Sequence, residues 1–188
     1  LQQEKSIYQN YEDQSKLINK KIGNLIVIVG ASGVGKDTLL NEVKTKLNNF
    51  YFVKRYITRV NDNNEDNIYL SEIEFQRKVA KGFFIINWEA HGLSYGIPKN
   101  IKKVLNVGIN VVFNGSRNAL KQTQENFPNV KIICITASKK IIKERLILRN
   151  RENLQDIEKR INRKVMPLPS NTTYVYNNSN LETGIKNL

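Results

Sequence analysis

Apolar residues in this chain fall into short runs separated by polar stretches with helical spacing. Leu25–Val29, Asn110–Phe113 and Val130–Ile135 are the clearest runs, with Thr173–Tyr176 a later one. Short apolar runs bounded by Gly, Asn or Pro read as strands covered on both faces. Between them, Thr38–Val43, Ser71–Ala80, Pro98–Val107, the stretch after Arg117 to Asn126, Ser138–Arg149 and Leu154–Val165 read as helices. Ser71 and Glu74 have the spacing of a capping box. Pro98 suits a first helical turn, and Asn153 suits an N-cap. Tyr51–Ile57 is β-rich and Ile68–Leu70 is short and extended. Phe83–Glu89 and Leu93–Tyr95 predict a hairpin turning at His91-Gly92. A last helix begins at Leu181.

Strands alternating with helices predict an α/β fold with a parallel sheet and helices on both faces. Ligands in such sheets bind at the C-terminal ends of strands. Residues 30–37, Thr58-Arg59 and Asn114–Arg117 all fall at such ends. Residues 1–22 are polar and only weakly patterned, which predicts a leader, linker or disordered extension ahead of one domain over 23–188.

The first strand runs into Gly30-Ala31-Ser32-Gly33-Val34-Gly35-Lys36-Asp37-Thr38, which opens a helix. Strand, glycine-rich loop and helix is the setting of a P-loop. Backbone N–H groups surround a phosphate chain, the helix turns its positive end to the same anion, and Lys36 reaches the β- and γ-phosphates. An ordinary glycine turn is the plainer reading; the flanking strand and helix favour nucleotide. ATP is therefore expected on Gly30, Ala31, Ser32, Gly33, Val34, Gly35, Lys36, Asp37 and Thr38. The residue after the lysine is ordinarily Ser or Thr, whose hydroxyl holds Mg2+. Here it is Asp37. A carboxylate beside phosphates is repelled unless a cation lies between them. Either Asp37 binds the metal, or it turns away and Thr38 takes that part.

Composition narrows the field. The 188 residues are 40% hydrophobic, enough for one cored domain. No apolar run approaches the roughly 20 residues of a membrane span. One cysteine, Cys134, lies inside an apolar run and is expected in the core. A disulfide framework is excluded, which fits a reducing cytoplasm. The net charge of +13 raises nucleic acid or a polyanionic small substrate as partner. The lysines are scattered and no aromatic stripe alternates with them, so nucleic acid is not expected.

From about Asn24 to Leu188 the chain resembles the guanylate kinase group of P-loop phosphotransferases. The matching residues are the glycine loop, Thr58-Arg59, Glu89-Ala90-His91-Gly92 leading to Tyr95-Gly96, and the arginines between Arg145 and Arg160. Within that group it looks most like the ribose 1,5-bisphosphate phosphokinases of bacterial phosphonate use. That likeness rests on Gly35-Lys36-Asp37, Arg55-Tyr56-Ile57-Thr58-Arg59, Leu70-Ser71-Glu72 with Phe75, Gly92–Gly96, Asn114-Gly115-Ser116-Arg117 and Arg151-Glu152-Asn153.

The resemblance implies an acceptor-binding insertion at about 58–97 and a lid at about 149–160. It implies ATP and Mg2+, a catalytic Lys36, and Asp37 as the candidate metal ligand. Arg59, Tyr95, Ser116 and Arg117 would bind the substrate. Arg149, Arg151 and Arg160 would close over ATP, although alternating Arg and Glu there equally suit a solvated helix face. Guanylate kinases read guanine with a glutamate at the position of Ile86 and with aspartates where this chain has Asn114 and Ser116. Losing such a partner costs about 1–3 kcal/mol per buried group. The expected acceptor is therefore a sugar bisphosphate, ribose 1,5-bisphosphate, converted to 5-phosphoribosyl 1-diphosphate. A guanylate or other nucleoside monophosphate kinase is the alternative. A binding module without catalysis is a second, which the intact loop and Lys36 count against. His91, in a turn, is not expected to catalyse. Nothing in the sequence sets the oligomeric state.

Overall fold

A computed structural model describes residues 22–59, 67–90, 92–148, 153–162 and 166–178. His91, Arg149, Arg151, the N-terminal stretch to residue 21 and the helix expected from Leu181 lie outside the described residues.

Five strands form a parallel sheet in the order β2 (Phe50–Phe52), β7 (Asn110–Asn114), β1 (Leu25–Val29), β8 (Lys131–Thr136), β9 (Thr172–Tyr176). Every neighbouring pair runs parallel. Alternate residues of each strand face opposite sides, so β1 feeds two cores. Val27 and Val29 join Val111, Phe113, Ile132 and Cys134 in a cluster with Ile101, Val104 and Leu120. Ile28 joins Val112 and Ile135 in another with Leu39, Ile142, Leu146 and Ile157. The first cluster brings in α3 (Ile101–Asn106) and α4 (Leu120–Asn126). The second brings in α1 (Lys36–Lys44), α5 (Lys139–Leu148) and α6 (Leu154–Ile161). Burial on both faces is why the strand sequences are nearly all apolar.

A smaller sheet has the order β4 (Ile68–Tyr69), β3 (Tyr56–Ile57), β6 (Leu93–Pro98), β5 (Phe84–Ala90). Here β3 pairs parallel with β4 and antiparallel with β6, and β5 and β6 form the expected hairpin. Its core is Tyr56, Phe75 and Phe84, with Phe83 packed beside them. Phe75 comes from α2 (Glu72–Ala80), which the Ser71–Glu74 capping box starts as expected.

Several boundaries differ from the pattern. The run Tyr51–Ile57 is two strands in two sheets. Val53 N–H makes a last bond to Val112 O, and Lys54-Arg55 then carries the chain across. Pro98 does not open a helix. It ends β6, paired with Phe84, and α3 starts at Ile101 after Asn100. A proline tolerates a strand end as readily as a first helical turn. The helix expected to reach Val165 ends at Ile161. Cys134 is buried in the core, as expected, and burial pushes its thiol pKa up. Among the described residues no helix is long and apolar enough to cross a membrane.

Candidate active site

The glycine loop leaves β1 at Val29 and enters α1 at Lys36. Its last glycine, Gly35, has φ of 88°, in the left-handed region. A Cβ there would also lie 2.7 Å from Asn177 Nδ2. Three long-range donors hold the loop. Asn177 Nδ2 donates to Val34 O at 2.8 Å and Arg145 Nη1 to the same oxygen at 3.2 Å. Arg160 Nη1 donates to Ser32 Oγ at 3.4 Å. Arg160, expected in a lid, thus stands at the loop itself. Lys36 folds back over the loop, its Nζ donating to Gly30 O at 2.7 Å and Ala31 O at 3.0 Å. A lysine so placed can exchange carbonyl partners for phosphate oxygens.

Asp37, in the first turn of α1, faces β7. Its Oδ1 accepts from Asn114 Nδ2 at 2.5 Å, while Thr38 is exposed. A cleft between α1 and the ends of β2 and β7 is lined by Asp37, Lys44, Lys54, Arg55, Asn67 and Asn114. Arg55 Nε donates to Asn67 Oδ1 at 3.2 Å and Nη1 to Asn114 O at 3.3 Å. Its guanidinium lies 5.7 Å from the centre of the Tyr95 ring. Tyr95 stacks on Trp88, with centroids 5.2 Å apart and planes 7° apart. The Thr58-Arg59 pair is tied to the same strand: Ser94 N–H donates to Thr58 Oγ1 at 2.9 Å, and Thr58 N–H donates to Ser94 O at 3.1 Å.

Ser116 and Arg117 have other visible partners. Ser116 Oγ accepts from Asn118 N–H and caps the short turn Arg117–Ala119. Arg117 Nη1 donates to Met166 O. The charges of Arg117 and Lys36 both oppose the upward push that burial gives the Cys134 thiol. Arg117 does not line the cleft that Arg55 enters. Ile86 is fully buried within the core.

Sequence reasoning gave no part to Arg55, Arg145 or Asn177. Arg55 lay within the quoted Arg55–Arg59 stretch, and Arg145 opened the arginine-rich segment. Asn177, on a polar stretch after the last strand, carried no signal.

The donor set can be tested against Mg2+. Asn114 is about nine-tenths buried, and its Oδ1 has no hydrogen-bond partner among the described residues. With Asp37 beside it, that oxygen suits a hard cation that prefers oxygen and keeps several waters. Among the described residues no three His, Cys, Asp or Glu gather as a metal cage. Mg2+ in kinases needs no such cage, because one or two carboxylates and the substrate phosphates hold it. The residues fit.

Comparison with known proteins bears on the family and the fold. The family model described as guanylate kinase matches residues 22–188. A ribose 1,5-bisphosphate phosphokinase PhnN of Psychromonas ingrahamii is 42% identical over 75% of this chain and 74% of its own length. One from Desulfomicrobium baculatum is 39% identical over 77% of this chain and 80% of its own. A bifunctional ribose 1,5-bisphosphokinase-thymidine phosphorylase of Roseobacter denitrificans is 41% identical over 87% of this chain. The chain spans about a quarter of the length of such bifunctional relatives. The crystal structure of guanylate kinase from Anaplasma phagocytophilum has a TM-score of 0.66 at 21% identity, covering 90% of this chain and 84% of that one; it bears on the fold alone. Because the family match runs from the first strand to the last residue rather than over the glycine loop alone, the chain belongs to the guanylate kinase family.

Proposed function

We propose that this chain transfers the γ-phosphoryl group of ATP to the 1-phosphate of ribose 1,5-bisphosphate, giving 5-phosphoribosyl 1-diphosphate and ADP. The observation that carries this reading is Ile86, fully buried and apolar where guanylate kinases present a base-reading carboxylate. Arg55 lines the cleft and lies over the Tyr95 ring. A guanine would lose its acceptors there, whereas a second phosphate would meet a guanidinium. The names of relatives near 40% identity support the same acceptor.

The attacking group is an oxygen of the acceptor's 1-phosphate. A phosphate monoester loses its second proton near pH 6, so the nucleophile is largely ionised at pH 7. No side chain has to remove a proton. One P–O bond forms to that oxygen, and the bond to the ADP oxygen breaks. The obstacle is repulsion between two anions that must approach within about 3–3.5 Å. Lys36 moves from the loop carbonyls to the β- and γ-phosphates. Arg59 and Tyr95, with Arg55, hold the acceptor, and Ser116 and Arg117 stand at the neighbouring loop. Arg160 closes on ATP from the glycine loop; the same part for Arg149 and Arg151 rests on the family resemblance alone. When bound, Mg2+ supplies charge that offsets the repulsion between the phosphates. Asp37, with Asn114 beside it, would hold it. The reaction uses cellular ATP, so the cytoplasm is the proposed compartment.

The test is ADP release with ATP, Mg2+ and either ribose 1,5-bisphosphate or GMP, with products identified by mass spectrometry. Transfer to the sugar bisphosphate and little to GMP is expected. Efficient GMP phosphorylation without transfer to ribose 1,5-bisphosphate returns the chain to the nucleotide kinases.

A further inference from the structure

In P-loop NTPases the hydroxyl after the lysine and an aspartate at the end of a neighbouring strand together hold the metal. This chain has the carboxylate after the lysine, at Asp37. It has an amide, Asn114, at the end of β7, and the two side chains touch at 2.5 Å. We infer that the two positions have exchanged roles, and that Asn114 is the positioning residue that aims the Asp37 carboxylate at the metal–nucleotide. The inference rests on the phosphoryl-transfer reading of the site, though not on the identity of the acceptor.

The chemistry of the amide fixes the geometry. A carboxylate only accepts, so Asn114 must turn its Nδ2 toward Asp37. Its Oδ1 then points away, buried and without a partner among the described residues. A buried acceptor left so is costly unless something donates to it. The waters that Mg2+ retains are donors of that kind. Asn114 thus commits its Nδ2 to the carboxylate and keeps a buried acceptor, Oδ1, without a partner among the described residues.

Asn114 is also held firmly enough to aim a neighbour. It pairs in register with Ile28 of β1, and the next residue donates its N–H to Ile28 O at 2.8 Å. Its own carbonyl accepts from Arg55 Nη1 at 3.3 Å. One strand-end residue therefore touches Asp37 on the nucleotide side and Arg55 in the acceptor cleft. An aspartate at 114 beside Asp37 would instead set two carboxylates within hydrogen-bond distance, where both cannot stay ionised. An amide opposite a carboxylate keeps the number of charges at one.

The test measures Mn2+ binding in the presence of ADP by electron paramagnetic resonance, with no acceptor and no turnover. Asn114→Ala should weaken Mn2+ binding about tenfold, the usual scale for removing a group that orients a ligand. ADP affinity without metal should not change. Asp37→Ser should weaken Mn2+ by about 100-fold. The exchange variant, Asp37→Ser with Asn114→Asp, restores the ordinary arrangement and should recover most of that loss. Should the exchange variant not fold by circular dichroism, Asn114→Ser alone carries the test and should behave as Asn114→Ala. Wild-type Mn2+ binding by Asn114→Ala or Asn114→Ser overturns the inference. So does a folded exchange variant that binds no better than Asp37→Ser. If Mn2+ binding follows these expectations while ribose 1,5-bisphosphate is not phosphorylated, only the acceptor reading fails.

Discussion

In the five-stranded sheet every pair is parallel, both faces are covered, and two apolar clusters share the central strand. The four-stranded sheet mixes parallel and antiparallel pairs, two of its strands are two residues long, and three buried aromatics form its separate cluster while Ile86, Trp88 and Ile97 join the first. The large sheet sets backbone atoms, and what it positions is a backbone device, the glycine loop. The small sheet sets side chains, Tyr95, Trp88 and the end of Thr58-Arg59, of which Arg59 and Tyr95 are the ones proposed for the acceptor. A densely buried element resists drift in what it presents, because changes in volume are felt throughout a close-packed interior. The small sheet's own aromatic cluster is thinner, but Ile86 lies in the first cluster and is packed as closely as the strands of the large sheet.

Taking the aromatic layer apart should give the largest effect. The Phe84 ring lies against Gly96, where a Cβ would come within 2.5 Å of it, and Gly96 adjoins Tyr95. Phe84→Ala should cost about 3–5 kcal/mol of stability. It should raise the acceptor KM while ADP binding persists. Leu39→Ala, in the other core, should cost about 2–5 kcal/mol and weaken ADP binding. Urea denaturation and titration calorimetry on both variants measure this. Equal loss of ADP binding in the two would mean that the sheets act as one unit.

Next in size is Lys36→Ala. The transfer rate should fall by two to three orders of magnitude, about what one preorganised electrostatic group supplies, with the far-UV circular dichroism unchanged. Normal turnover would remove the glycine loop from the mechanism.

Arg55→Ala should act on the acceptor side alone. A hydrogen bond to a charged group is worth about 1.5–3 kcal/mol, so kcat/KM for ribose 1,5-bisphosphate should drop about 10- to 100-fold. ADP affinity should hold. Loss of ADP affinity of the same size would place Arg55 on the nucleotide.

The smallest effect belongs to the capping box. Hydrogen bonds from Ser71 lower the Glu74 pKa below its usual value of 4.5. A depressed carboxyl contributes stability that is complete above the unfolded value and is lost as pH falls through the folded one. Glu74→Gln should therefore lower stability slightly at pH 7 and flatten its fall below pH 4.5. Thermal melts across that range measure it, and an unaltered pH profile would deny Glu74 its part.

The sequence by itself determined what depends on near neighbours. Gly30–Lys36 between an apolar run and a helix is a local pattern, and the loop follows from it. The Ser71–Glu74 spacing started α2, and the buried runs became the strands of the parallel sheet. That Ile86 stands where guanylate kinases carry a base-reading carboxylate is an expectation from counting back along the sequence from Tyr95.

Tertiary structure decided what depends on distant residues meeting. Asp37 and Asn114 are 77 positions apart, and only the pairing of β1 with β7 brings them together. The run Tyr51–Ile57 divides because its halves find partners in different sheets, β7 for one and β6 for the other. Arg55 sits at that crossing, and local pattern does not say which way its side chain turns. Asn177 reaches Val34 across 143 positions because β9 lies beside β8. Periodicity reports which face of an element is buried. It carries no record of which other element covers that face, and at this site the covering partner sets where each polar group can act.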